Sequence, residues 1–146
     1  MPLALSIVTP SFNQAAFLEQ AIDSVLGQKY AALEYVIMDG GSTDGSVEII
    51  RRREAALTSW TSAPDGGHYA AVNAGFARTT GEIMAWLNAD DQYLPWTFSV
   101  VAEVFGQFPE IEWVTTRWPL RWDKRGRAVR CAARPGYARE AFLRGA

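Results

Sequence analysis

Tyr35-Val36-Ile37-Met38-Asp39-Gly40-Gly41-Ser42-Thr43-Asp44-Gly45 is the stretch that decides the fold. Its apolar run stops at a carboxylate and two glycines, which reads as a buried strand closed by a turn. Ser42 to Gly45 then gives a helix start signal, with Asp44 expected to cap the helix it opens, from about Ser46 to Glu54. Upstream, Leu5-Ser6-Ile7-Val8-Thr9 reads as another buried strand, closed by Pro10. Between the two, Phe17, Leu18, Ile22, Val25 and Leu26 fall on one helical face, with Asn13 as its N-cap and Gly27 as its stop. Strand, helix and strand make a crossover unit, and the crossover implies parallel pairing.

The pattern repeats downstream. Leu57 to Ser62 is expected as a strand. After the turn Pro64-Asp65-Gly66-Gly67, residues Tyr69, Val72 and Phe76 recur at helical spacing, with His68 as a helix-start residue rather than a catalytic base. Ile83-Met84-Ala85-Trp86-Leu87 is a fourth apolar strand, ending at Asn88-Ala89-Asp90-Asp91. Pro95 suits the first turn of a helix carrying Phe98, Val101, Ala102, Phe105 and Phe108. Trp60 and Trp86, inside strands, are expected in the core. Strands alternating with helices predict an α/β, three-layer sandwich with a mainly parallel central sheet. Such sheets bind ligands at the carboxyl ends of their strands. Of the four loops leaving those ends, three bring carboxylates to one rim, at Asp39, at Asp65 and at Asp90 with Asp91.

The composition suits one globular domain: 146 residues, 49% hydrophobic and 21% charged. Its apolar runs are strand-sized, and the N-terminus lacks the basic-then-apolar pattern of a signal peptide, so a cytoplasmic protein is expected. Cys131, the single cysteine, can form no internal disulfide and has no ligand-spaced companions for a zinc site. Charge is uneven: residues 1–116 carry 5 Lys and Arg against 14 Asp and Glu, and residues 117–146 carry 9 against 2. The basic segment is either a solvated surface or a patch for phosphate groups or anionic lipid. The acidic larger part argues against nucleic-acid binding. Past Phe108 the sequence predicts a strand at Trp113 to Thr116, a hairpin around Asp123 to Arg127 and a short helix over Tyr137 to Leu143. Trp113, Trp118 and Trp122 cluster there, as core or as a surface on which a sugar or lipid could stack.

Oxygen ligands on a turn suit Mg²⁺ or Mn²⁺, which take one or two carboxylates and fill their shell with water and substrate phosphates. Asp90 is the candidate ligand, with Asp91 as a second ligand or a cap of the next turn. Asp39 at a strand end can accept a hydrogen bond from the ring N–H of a uracil-like base. Asn73, on a helix of small residues, is either a buried hydrogen-bonded group or a ligand contact. Neither the Gly-x-Gly-x-x-Gly fingerprint nor a Gly-Lys-Ser/Thr phosphate loop is present.

The ordered set Thr9-Pro10-Ser11-Phe12-Asn13, Asp39 to Gly45, Pro64-Asp65-Gly66-Gly67 and Leu87-Asn88-Ala89-Asp90-Asp91 resembles the family 2 glycosyltransferases of the GT-A fold, over residues 4 to 116. The bacterial enzymes that build surface polysaccharides are the nearest in flavour. The resemblance implies a nucleotide-diphosphate sugar, UDP-linked, lying across the sheet edge. Its base and ribose would be near Pro10, Phe12, Asp39 and Asp65, with the helix bearing Asn73 also in place, and its diphosphate would meet a metal on Asp90. Asn88 stands at the first position of the acidic motif, where the family commonly has an aspartate. The implied reaction inverts the anomeric centre as an acceptor hydroxyl displaces the nucleotide. The family's general base comes from a later acidic motif, and after Arg117 this chain offers only Asp123 and Glu140, in no matching motif. A truncated chain is therefore expected, with residues 1–116 as the nucleotide-sugar core and 117–146 as a basic, incomplete start of the acceptor side. A glycan or lipid-linked acceptor and peripheral contact with the inner face of a membrane go with that reading. Two rivals stand beside it: a nucleotidyltransferase, which needs a glycine- and basic-rich phosphate loop where Thr9 to Asn13 has neither, and a non-catalytic nucleotide-binding remnant or scaffold.

Overall fold

The computed structural model describes residues 2–116, 120–122 and 128–130. Cys131, the turn at Asp123 to Arg127, Trp118, Glu140 and the helix expected over Tyr137 to Leu143 lie outside the described residues. The chain divides into two compact units, Met1–Pro109 and Glu110–Ala146. In the second, β5 (Leu120–Trp122) and β6 (Ala128–Arg130) pair antiparallel, on either side of the expected hairpin turn.

The first unit runs β1 (Leu5–Ser11), α1 (Ala15–Leu26), β2 (Leu33–Asp39), α2 (Ser46–Arg53), a 3₁₀ turn (Glu54–Ala56), β3 (Ser59–Ser62), α3 (His68–Phe76), β4 (Ile83–Trp86) and α4 (Thr97–Gln107). The four strands form one sheet in the order β3-β2-β1-β4, every neighbouring pair parallel. Side chains alternate across it. Leu5, Ile7, Tyr35 and Ile37 join Leu18, Ile22 and Val25 of α1, Ile49 and Ile50 of α2 and Phe98 of α4 in one cluster. Val8, Val36 and Met38 pack with Ala71 and Phe76 of α3 in another. Helices thus cover both faces, the expected three layers. Each large aliphatic side chain so buried contributes about 1.5–3 kcal/mol. Gly75 sets how closely α3 can approach, because a β-carbon there would collide with the Val8 side chain.

Several expectations are corrected. Asn13 does not cap α1: it sits at φ 53°, and its side-chain oxygen accepts the Thr43 N–H at 2.9 Å. The first N–H groups of α1 are taken by the next loop, Gln14 N–H by Ser46 Oγ at 3.2 Å and Ala15 N–H by Asp44 Oδ2 at 2.9 Å. Asp44 therefore serves two helices, since its Oδ1 also accepts from Ser46 N–H at 3.1 Å at the start of α2. Those donors, the Ser46 hydroxyl foremost, lower its pKa. Phe17, placed on the buried helical face, is 52% exposed, and Trp86, placed in the core, is 51% exposed because it lies on the edge strand β4. Leu57 closes the 3₁₀ turn by donating to Glu54 O at 3.0 Å, so β3 starts only at Ser59. Pro95 belongs to the turn before α4, and Phe108 ends up exposed just beyond that helix. Trp113 to Thr116 forms no strand.

Candidate functional site

The sheet order places its reversal between β1 and β4: the chain goes outward through β2 and β3 on one side, then α3 returns it to β4 on the other. The carboxyl ends of the two strands flanking such a reversal diverge and leave a crevice. Here Pro10 widens it. The bond Leu5 N–H to Ala32 O at 2.9 Å belongs to the β2 side, while Ile83 and Leu87 N–H reach Ala4 and Val8 O at 3.0 and 2.9 Å on the β4 side. The next β1 donor toward β4 in that alternation is residue 10, a proline with no N–H. The ladder stops there.

A cavity of about 790 Å³ opens at this point, within the size range of small-molecule sites. Pro10, Ser11, Phe12 and Gln14 line it from β1 and the residues after it, Trp86, Asn88, Ala89 and Asp90 from the end of β4 and its turn, Gly40, Pro64, Asp65 and Gly67 from the loops after β2 and β3, and His68 and Tyr69 from the start of α3. Gly40 is the close-approach point, because a β-carbon on it would stand 3.2 Å from an Asp65 carboxylate oxygen and 3.3 Å from the Phe12 ring. The Asp65 carboxylate also accepts the Gly67 N–H at 2.7 Å, fixing the turn into α3.

Asp39, at the end of β2, is 1% exposed and is not among the lining residues. Its carboxylate accepts Gly41 N–H at 3.1 Å, Ser42 N–H at 2.9 Å, the Ser42 hydroxyl at 2.5 Å and the Ser62 hydroxyl at 2.7 Å. Gly41, at φ 86°, permits the bend that brings its N–H back to that carboxylate. Of the three expected rim carboxylates, Asp65 and Asp90 therefore reach the cavity, and Asp39 lies beneath, holding the loop that frames it. Asn73 is exposed on α3 and outside the lining, so it is not the buried group that was one of its two readings.

On β4's side, Asp90 is exposed. The Asn88 amide nitrogen donates to the Asp91 carboxylate at 3.0 Å, and Asp91 N–H returns to Asn88 O at 3.0 Å. That leaves Asn88 Oδ1 buried without a hydrogen-bond partner, and Ser11 Oγ is in the same condition. Buried polar atoms are nearly always paired, so two orphans lining one cavity mark a place where a ligand or water makes the missing bonds. Among the described residues no three acidic, histidine or cysteine side chains gather as a metal cluster.

Sequence reasoning missed Ser11, Gln14, Tyr69 and Trp86 as lining residues, and gave His68 only its place at the start of α3, which it does occupy. Pro10 was the available signal: a proline one residue before the end of a central strand must open the ladder on one side, next to Ser11.

The glycosyl transferase family 2 profile matches residues 6–139 of the chain. The chain belongs to glycosyl transferase family 2. It is 38% identical over 112 residues to an uncharacterized glycosyltransferase of Nostoc sp., covering 70% of this chain and 33% of that protein. Against an uncharacterized glycosyltransferase of Mycobacterium tuberculosis the identity is 36% over 90 residues, covering 61% of this chain and 34% of that protein. The chain thus spans about a third of the length of these curated relatives. Among solved structures, the mannosyltransferase PcManGT from Pyrobaculum calidifontis, in complex with GDP-Man and Mn²⁺, superposes with a TM-score of 0.63 at 26% identity, covering 71% of this chain and 33% of that one. S. aureus TarS in complex with UDP-GlcNAc superposes with a TM-score of 0.66 at 20% identity, covering 73% of this chain and 32% of that one. The four parallel strands and their flanking helices have the GT-A fold. Among the described residues no helix is long and apolar enough to cross a membrane.

Proposed function

We propose that the crevice between β1 and β4 binds a nucleotide-diphosphate sugar through a divalent cation on Asp90, and that the longer protein of this type transfers the sugar to an acceptor hydroxyl with inversion, in surface polysaccharide synthesis. The observation that carries the reading is the cavity itself: in a family 2 chain, it joins an exposed carboxylate to two orphaned buried oxygens at the switch point of the sheet.

Phe12 and Pro10 offer an apolar face for a base, with Asp65 close by to accept from ribose hydroxyls. Asp39 acts from below, by fixing the 39–42 loop. Its Oδ1 accepts from the Ser42 hydroxyl, which ties that loop to the end of β2. Asp90 and Asn88 give an all-oxygen donor set, which fits a hard cation of the Mg²⁺ or Mn²⁺ type, and the orphaned Asn88 Oδ1 is a ligand atom with no competing bond. A cation held there would supply charge neutralisation for a leaving diphosphate. That the mannosyltransferase was solved in complex with GDP-Man and Mn²⁺ supports that choice.

Residues 1–116 would form the donor half, and the basic residues 117–146 would begin the acceptor side, facing a glycan or lipid-linked acceptor at a membrane surface. A general base is not assigned within this chain. Calorimetry with UDP and GDP, each with and without Mn²⁺, tests the reading. Binding of one nucleotide that tightens with Mn²⁺ is expected, and the absence of binding by both would refute it.

A further inference from the structure

Phe12 is 61% exposed and lines the cavity, yet the backbone on both sides of it is tied down. On one side Ser11 O accepts the Gly40 N–H at 2.8 Å. On the other, Asn13 N–H donates to Ser42 Oγ at 2.8 Å, and Asn13 Oδ1 accepts the Thr43 N–H at 2.9 Å. The Ser42 hydroxyl passes the link inward, because it donates in turn to the buried Asp39 carboxylate. Asn13 makes this clasp at φ 53°, in the left-handed region that asparagine tolerates better than most side chains. Backbone held there persists only where its surroundings impose it, and such positions gather at ligand clamps. A single exposed phenylalanine is ordinary. Here both chain neighbours of the ring are fastened to the loop after β2. The ring stands over Gly40, where a β-carbon would lie 3.3 Å from it, and the Asp65 carboxylate flanks the same point at 3.2 Å.

We propose, resting on the donor-site reading above, that Asn13 is a positioning residue for the nucleoside end of the donor: its clasp on Ser42 and Thr43 presets the Phe12 ring as a shelf for a flat base. A ring on an unclasped loop would have to be ordered as the base arrives, and that ordering would subtract from affinity. With the clasp made in the unliganded chain, the loop is ordered on folding instead. Asn13 itself does not line the cavity, so its effect on binding runs through Phe12.

Titration calorimetry of UDP, in Mn²⁺, into the 146-residue chain carrying Phe12→Ala, Asn13→Gly or both reads this coupling without any turnover. Phe12→Ala should weaken UDP binding roughly five- to 150-fold, the range for a base stacked on an aromatic side chain. Asn13→Gly keeps the positive φ without strain and drops only the side-chain oxygen, so the chain should still fold. It should weaken UDP binding about fivefold or more, the worth of one hydrogen bond. In the double variant the loss from Asn13→Gly should shrink to within about twofold, because no ring is left to aim. Asn13→Asp, which keeps an acceptor for the Thr43 N–H, should bind UDP closer to wild type than to Asn13→Gly. Wild-type affinity in Asn13→Gly overturns the inference, as does Asn13→Asp binding as weakly as Asn13→Gly. It is equally overturned if Asn13→Gly causes the same fold loss with and without the Phe12 ring, which would make the clasp a structural feature alone. Failure of the wild-type chain to bind UDP or GDP under any condition would sink the donor-site reading, and the inference with it.

Discussion

The two ends of the β1–β2 pair start from the same chemistry and finish differently. In the register of the two strands Ser6 stands opposite Glu34 at one end, and Ser11 opposite Asp39 at the other. At the amino end the Ser6 hydroxyl donates to Glu34 at 2.6 Å, and Thr80 N–H, the Thr80 hydroxyl and Gly81 N–H complete the carboxylate's shell at 2.7, 2.7 and 3.1 Å. At the carboxyl end Asp39 has as full a shell, but draws it from Ser42, Ser62 and Gly41, and Ser11 is left with nothing. One end closes on itself. The other leaves a buried hydroxyl unpartnered on a residue that lines the cavity.

The largest effect should come from removing the better-enclosed carboxylate. Asp39→Ala strands two hydroxyls and two N–H groups beneath the cavity and should cost about 3 kcal/mol by urea unfolding, since each unsatisfied buried group costs about 1–3 kcal/mol with partial relaxation. A loss under about 0.5 kcal/mol, the range of ordinary surface changes, would mean the shell does not bind the loop together.

Glu34→Gln should be milder, because that carboxylate is more open to water. The donors around it, Ser6 first and then Thr80, hold its pKa at about 2, down from 4.5. Discounted for solvent screening, this amounts to about 1–2 kcal/mol. The sign is fixed by the lowered value: the contribution is whole above pH 4.5 and is lost as pH falls through about 2. Thermal melts between those limits should fall for wild type and stay flatter for the variant, and parallel slopes would contradict the assignment.

The finest test compares two serines on one strand. Ser6→Ala removes a donor to Glu34 and an acceptor of Gly81 N–H, and should destabilise by about 1 kcal/mol. Ser11→Ala removes an orphan and should leave stability unchanged or raise it by about 0.5 kcal/mol. Equal losses at both positions would erase the distinction between the ends.

Much of this was legible in the chain. The apolar runs around Ile7 and Val36 and the helical spacing of Leu18, Ile22 and Val25 fix the parallel three-layer fold, because burial on both faces leaves few other ways to write a strand. What escaped depended on contacts between distant loops. Asn13 looks like a cap by position, but the real cap of α1 comes from Asp44 and Ser46, which no local pattern links to residue 15. Trp86 reads as core by composition, and only the strand order makes β4 an edge. Asp39 reads as a rim carboxylate, and only its four donors turn it inward. Ser11 is unremarkable in sequence and becomes a candidate contact once Pro10 is seen to end the ladder beside it.

Asp90 is proposed to hold a cation for a diphosphate in the β1–β4 crevice. Titration calorimetry of UDP into wild-type and Asp90→Ala chains, each with and without Mn²⁺, tests it most directly. Mn²⁺ should tighten UDP binding to wild type by at least about tenfold, Asp90→Ala should abolish this gain, and the melting temperatures of the two chains should agree. Binding of UDP by Asp90→Ala in Mn²⁺ as tight as that of wild type would contradict it.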